Sequence, residues 1–301
     1  MDCLALVGPT ASGKTEAIEL LADLLSIEVI NCDSMQVYQQ IPIASQVPPS
    51  DLLKKVPHHL IDFVHPSREY SVSEYVRDAR VAISEIRGRK KMPVICGGTG
   101  LYFNSLMDGL FDGPSADEDF RNALTREVAL HGPEFLHERL TQSDPKAAAK
   151  IHPNDIRRVI RALEVIEVTG KVFSDLKEQR SGLFDEMNIR VLGLQWPRAE
   201  LYNRINLRVD QMLADGLKDE ISKLLDQPLS KTVTACLGVH EIGAYLTGEA
   251  TLEEATASLK QNTRRFAKRQ IAWFKRDERI EWVRRSADAA DLRQLLKELK
   301  F

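Results

Sequence analysis

An unbroken apolar run, Cys3 to Val7, precedes a glycine-bounded loop and then apolar residues at helical spacing (Ala17, Ile18, Leu21, Leu25). That order predicts a buried strand, a loop and a helix from about Thr15 to Leu25. The alternation continues. Glu28–Asn31 predicts a short second strand ending in Cys32-Asp33-Ser34, Ser71 or Ser73 caps a helix to about Arg87, and Pro93–Cys96 predicts a third strand ending in Gly97-Gly98. Alternating units of this kind imply an α/β fold, a parallel sheet with helices on both faces. From about Pro114 the strand signal disappears, leaving helices over Asp117–Leu130, Pro133–Leu140 and Pro153–Thr169, punctuated by Pro and Gly. Val191–Trp196 restores a strand, helices dominate to about Lys275, Ile280–Val283 forms a last short strand, and the final ten or so residues form a charged amphipathic helix. The expected organisation is therefore a core over residues 1–113 and 196–301, interrupted by an all-helical insertion over 114–195.

Composition adds exclusions. With 301 residues, 43% hydrophobic and 28% charged, the chain has ample material for a core and the makeup of a soluble globular protein. No apolar stretch approaches the roughly 20 residues needed to cross a bilayer, and no signal-like segment opens the chain, so no membrane partner and a cytoplasmic location are expected. Cys3, Cys32, Cys96 and Cys236 show no C-x-x-C spacing and read as reduced small hydrophobes. A net charge of −3 gives no global sign of nucleic-acid binding. Local patches do. Ten Lys/Arg against three Asp/Glu lie between Lys260 and Arg285, interleaved with Phe266, Trp273, Phe274 and Trp282, and Arg157, Arg158 and Arg161 form a second cluster. Either run alone reads as a solvated helix face; two in an acidic chain point to a polyanionic partner.

The candidate chemistry gathers at the carboxyl ends of the predicted strands, where open parallel sheets bind ligands. Gly8-Pro9-Thr10-Ala11-Ser12-Gly13-Lys14-Thr15 is a complete G-x-x-x-x-G-K-[ST] phosphate loop between strand and helix. Its backbone N–H groups would cradle a di- or triphosphate, Lys14 would supply a point charge, and the Thr15 hydroxyl could ligate Mg²⁺. Asp33 should face those phosphates across the crevice, as a base for a nucleophile or an indirect Mg²⁺ ligand; the alternative is an Asx-type cap for the segment that follows. Ser34, Met35 and Gln36 continue along the same edge. Gly97-Gly98-Thr99-Gly100-Leu101-Tyr102 reads either as a second ligand loop, with Thr99 touching substrate, or as a tight turn. Strand three ends in Gly where nucleotide hydrolases place an acidic Mg²⁺ ligand, which argues against a motor or switch NTPase. Arg204 and Arg208, one turn apart, could reach the phosphates or make surface ion pairs. A metal role for His58-His59 lacks partners at ligand spacing.

Six segments in this order complete the picture: the Gly8–Thr15 loop, Asp33-Ser34-Met35-Gln36-Val37-Tyr38, Pro57-His58-His59-Leu60-Ile61-Asp62, Gly97–Tyr102, Asp155-Ile156-Arg157-Arg158-Val159-Ile160-Arg161-Ala162-Leu163-Glu164 and Thr263-Arg264-Arg265-Phe266-Ala267-Lys268-Arg269-Gln270. Together they resemble the tRNA dimethylallyltransferases, also called tRNA isopentenyltransferases, over about residues 4–283. The resemblance implies transfer of a dimethylallyl group from its diphosphate to the exocyclic amine of the adenosine 3′ of a tRNA anticodon, with Mg²⁺ as cofactor. It implies Asp33 as general base with Thr99 beside it, and Gly8 to Thr15 with Arg208, and Arg204 as a second candidate, as the diphosphate site. Residues 33–36, Thr99, Arg121 and 157–161 (Arg157, Arg158, Val159, Ile160, Arg161) would contact tRNA, the insertion gripping the anticodon stem-loop. The expected partners are thus tRNA and dimethylallyl diphosphate, the chain acting as a monomer. Two departures stand out: Gln46 replaces a usual Lys, and Gly238-Val239-His240-Glu241 lacks a usual aromatic. The residues alone leave a phosphate-loop small-molecule kinase and a nucleotide-controlled RNA-binding protein as alternatives.

Overall fold

A computed structural model of the protein describes residues 1–110, 113, 117–178 and 180–285. The expected C-terminal amphipathic helix lies outside the described residues. The chain begins β1 (Cys3–Val7), α1 (Lys14–Leu24), β2 (Ile27–Asn31), α2 (Pro42–Ser45), α3 (Ser50–Lys55), β3 (His58–His59), α4 (Val72–Gly88), β4 (Met92–Gly97) and α5 (Gly100–Met107). Helices α6 (Glu118–His131), α7 (Pro133–Ser143), α8 (Pro145–Ala148), α9 (Ile156–Thr169), α10 (Phe173–Glu178) and α11 (Leu183–Glu186) follow. The chain then returns through β5 (Ile189–Gln195), α12 (Arg198–Ala214), α13 (Leu217–Leu225), α14 (Lys231–Thr234), α15 (Val239–Leu246), α16 (Leu252–Phe274) and β6 (Ile280–Arg284).

The six strands form one parallel sheet in the order β3-β2-β4-β1-β5-β6. Leu4 and Leu6 of β1, with Val29, Val94, Leu192 and Leu194, pack against Ala17, Ile18 and Leu21 of α1 on one face. Helix α4 packs on β2 and β4 from the opposite face, with α5 against α4; Ser71 caps α4 through a box with Glu74, as the sequence expects. From β1 the chain leaves toward β2, and from β4 it eventually reaches β5 on the other side of β1. The loops after β1 and β4 therefore diverge to opposite faces and open a crevice between them. No helix among the described residues is long and apolar enough to cross a membrane.

Contacts divide the chain into two compact units, Met1–Met107 with the described residues from Glu186 onward, and Asp108–Asp185. The expected insertion boundary at 195 needs correction. Ile189–Gln195 is a strand hydrogen-bonded between β1 and β6, so it belongs to the sheet and the helical unit closes at Asp185. Its own core contains Leu124, Leu136, Leu140, Val159, Ile160 and Leu163. Buried Asp144 caps α8 through Ala147 N and accepts from Ser174 N.

At the sheet margin Glu28, its side chain 4% exposed, binds Arg89, His59 and Lys91. Arg89 is the chief cause of its carboxyl pKa falling to about 2, with His59 and Lys91 adding to it against the cost of burial. The depressed folded pKa stabilises the protein above the carboxyl's unfolded value, and that contribution disappears as pH falls toward about 2. Glu28→Gln should therefore cost about 2 kcal/mol at neutral pH. The deficit should shrink in acid; urea melts at several pH values would detect it.

Candidate active site

The loop after β1 adopts the conformation its glycines allow. Gly13 has φ 89° and Ala11 φ 62°, both left-handed, and these turns bring backbone N–H groups together into an anion-binding nest. Among the described residues the N–H groups of Ala11, Gly13, Lys14 and Thr15 have no protein acceptor. Lys14 Nζ donates to the carbonyls of Gly8 (3.0 Å) and Pro9 (2.9 Å). Burial lowers the lysine's pKa, and the nearby Arg208 charge adds to that, while Cys96 and Asp33 oppose it. Ser12 Oγ is buried without a partner among the described residues. Thr15 is exposed on the first turn of α1, its hydroxyl unengaged among the described residues. Thr10 differs from the expected pattern because its N–H donates to Gln270 Oε1 at 2.8 Å, leaving its hydroxyl for a ligand.

Asp33 lies two residues beyond the end of β2 and is close enough to Lys14 for each charge to shift the other's pKa. Burial raises the carboxyl pKa, against the N–H groups of Met35 and Gln36 and the Lys14 charge. Its Oδ1 accepts from Met35 N at 3.0 Å, so the Asx-type cap is present as well. Asn31 holds the turn rigid by accepting from Asp33 N and donating to the carbonyls of Asp33 and Leu60. Thr99 Oγ1 accepts from Ser34 N at 2.9 Å and donates to Ser34 Oγ at 3.2 Å, tying the β4 loop to the Asp33 loop. Gln36 donates to the carbonyls of Ser45 and Gln46, which commits its amide donors within the protein. Gln46 itself caps α2 at φ 57°, donating to Ile43 O.

The 97–100 glycines have a packing cause. A Cβ on Gly97 would lie 2.1 Å from Cys32 O, one on Gly98 2.3 Å from Gln270 Nε2, and one on Gly100 2.2 Å from the Trp273 ring. This stretch is a seat for α16 and β2. Gln270 is the residue that sequence reasoning missed: it accepts from Thr10 N and donates to Gly98 O at 2.9 Å, clipping the two loops together. Arg208 is half-buried, its pKa lowered by burial and by Arg204, and no protein group among the described residues pairs with it. An unpaired cation so placed is costly until an anion arrives. Arg204 instead braces the loop, donating from Nε to Ala11 O at 2.9 Å while stacked on Trp196.

In the helical unit, the predicted RNA-facing run separates into two groups. Val159 and Ile160 are buried in the helical core, so they cannot offer side chains to a ligand. Arg121 makes a two-pronged pair with buried Glu164 (2.8 and 2.9 Å), which Arg161 also joins. Burial would raise the Glu164 carboxyl, but Arg121, Arg161 and the Asp117 N–H outweigh it and hold its pKa low. Arg158 pairs with Asp155 at 3.4 Å, and Arg157 is exposed with no ionic partner among the described residues.

A parallel sheet whose first strand ends in a phosphate nest, faced by a raised-pKa carboxylate and an unpaired arginine, defines a phosphate-loop α/β transferase site. Comparison with known proteins is more specific. A family profile described as "IPP transferase" matches residues 36–277 and a second, "Isopentenyl transferase", matches residues 1–63, so the chain belongs to the isopentenyl transferase family. A protein of Geobacter sulfurreducens named tRNA dimethylallyltransferase is 43% identical over 278 residues, 92% of this chain and 89% of that one. The full-length tRNA isopentenylpyrophosphate transferase of Bacillus halodurans superposes with TM-score 0.72 at 41% identity, covering 99% of this chain and 96% of the other. A eukaryotic dimethylallyltransferase, described as acting on tRNA, gives 0.81 at 29% identity over 94% and 73% of the two chains.

Proposed function

We propose that this protein is a tRNA dimethylallyltransferase, moving a dimethylallyl group from its diphosphate to N6 of the adenosine 3′ of the anticodon. The carrying observation is that Thr99 ties the Asp33 loop to the turn after β4 and Gln270 ties that turn to the phosphate loop, which supports a base and a leaving-group site in one crevice. In this reading the free N–H groups of Ala11, Gly13, Lys14 and Thr15, with Arg208, receive the diphosphate oxygens. They stabilise the charge that develops as the allylic C–O bond breaks. The amine nitrogen forms the new C–N bond, and its proton passes to Asp33; the target base must leave its stack to reach the donor.

Mg²⁺ fits this site modestly. Thr15 offers an exposed hydroxyl, and no cluster of three or more His, Cys, Asp or Glu side chains exists among the described residues. A Mg²⁺ held by Thr15 and the donor's own phosphates, with water completing its shell, matches that ion's ordinary habit. It would neutralise leaving-group charge.

The test is incubation with unmodified tRNA and dimethylallyl diphosphate, followed by nucleoside analysis. Appearance of N6-dimethylallyl adenosine is expected. A small-molecule kinase would leave the tRNA mass unchanged and need ATP, and a pure RNA binder would shift tRNA without altering it. For RNA contact the exposed arginines of α9 are assigned. Arg157→Ala with Arg158→Ala should weaken tRNA binding and reduce its salt slope by about one unit per lost phosphate contact. An unaltered slope would return both to the solvated surface.

A further inference from the structure

Arg285 lies just beyond β6 and beyond the family match at residues 36–277, and no step of the reaction above uses it. Its backbone N donates to Gln195 O at 2.7 Å, which fixes it at the carboxyl edge of the sheet. The side chain is 3% exposed and passes over the Trp196 ring at 5.4 Å. Arg204 lies over the same indole at 4.4 Å. Together these residues meet one side of the phosphate loop: Trp196 Nε1 donates to Ser12 O, Arg204 Nε to Ala11 O, and Arg285 Nη2 to Glu16 Oε2 in the first turn of α1. Both guanidinium groups also neighbour Gly13. The loop is thus gripped from its carbonyl side, with its N–H side left for a ligand.

Two features point from this grip to an anion. Among the described residues Arg285 Nε and Nη1 are buried with no acceptor. Buried donors are normally satisfied, and a guanidinium with two idle donors beside a phosphate nest is suited to an anionic partner. The second is charge. Arg204 and Arg285 against Glu16 leave one net positive charge beside Gly13, in addition to Lys14 and Arg208.

We propose that Arg285 is a positioning residue of the diphosphate site. This rests on the donor reading given above. Clamped between Trp196 and Glu16, it backs the left-handed turn at Gly13, while Arg204 on the same indole holds Ala11, so that the nest exists before the anion arrives. Its charge, close to the loop and shielded from water, adds to the attraction for the phosphates.

Inorganic pyrophosphate is the probe, titrated calorimetrically into the full-length protein. Arg285→Gln should bind it about tenfold more weakly, with the ligand-free melting temperature and tRNA affinity unchanged. Arg285→Lys should recover part of the loss by restoring charge. In turnover the variant's KM for dimethylallyl diphosphate should rise by a similar factor, with kcat and the KM for tRNA nearly constant. Glu16→Gln gives an independent arm that leaves the guanidinium intact. Removing the negative charge should tighten pyrophosphate binding by about threefold. Pyrophosphate affinity within twofold of the parent in Arg285→Gln, or a loss shared equally by tRNA affinity and melting temperature, would overturn the proposal. So would weaker or unaltered binding in Glu16→Gln. A parent protein that fails to bind pyrophosphate would sink the donor reading itself, an outcome distinct from a binding parent matched by its variants.

Discussion

Asp33→Asn is expected to cut dimethylallyl transfer by about 10²–10⁴-fold while tRNA affinity stays within about twofold. The amide keeps the shape and the Oδ1 contact to Met35 N, so the turn held by Asn31 should persist. What disappears is the proton acceptor. An adenine exocyclic amine is barely nucleophilic, and without a base its nitrogen must carry positive charge through the transition state. The acid limb of the pH profile provides an internal check. Burial raises the Asp33 pKa above the ordinary carboxylate value, so kcat/KM should fall as acid protonates it, and the limb should lie above the pH at which a solvated aspartate titrates. The Asn variant should lose this limb. Single-turnover assays over pH, with tRNA binding measured on the same preparations, decide it; a variant turning over at the parent's rate would remove Asp33 from the chemistry.

Lys14→Met is expected to lower kcat by about 10²–10³-fold and to weaken donor binding without harming the fold. The ammonium sits against the carbonyls of Gly8 and Pro9, with burial as the main cause of its lowered pKa and Arg208 adding to it. Such a charge is held against its own solvation preference. Methionine fills similar volume with no charge to desolvate, so the melting temperature should hold or rise while activity falls. A parallel loss of stability and activity would instead make Lys14 a structural clasp for the loop. Differential scanning calorimetry beside donor titration separates the two outcomes.

The sheet was legible because its strands are apolar runs ended by Gly, Pro or Asp, and the strand-end rule was enough to draw Asp33 toward the loop. His58–His59 escaped notice as a strand: two polar residues give no period, and their place comes from pairing with Val29 and Ile30. The insertion boundary slipped because the limit at 195 counts the expected Val191–Trp196 strand with the helices, and Ile189 and Arg190 begin that strand earlier still. In α9 the error lies in reading five neighbours as one surface. A helix sends Arg157 and Arg158 outward and Val159 and Ile160 inward within little more than one turn. Gln270 closes the last of the six motifs, but nothing local announces its role or those of Trp196 and Arg285. Their roles come from partners as many as 269 positions away in sequence, which only the folded chain brings together.

The two-handed amide of Gln270 also sets a timetable for the cell. Chains emerge N-terminus first, and the glycine nest leaves the ribosome well before α16 does. Its clip resides on α16. In a nascent protein the two loops therefore wait for that late helix before they are locked in register, and the site should stay catalytically silent until α16 docks.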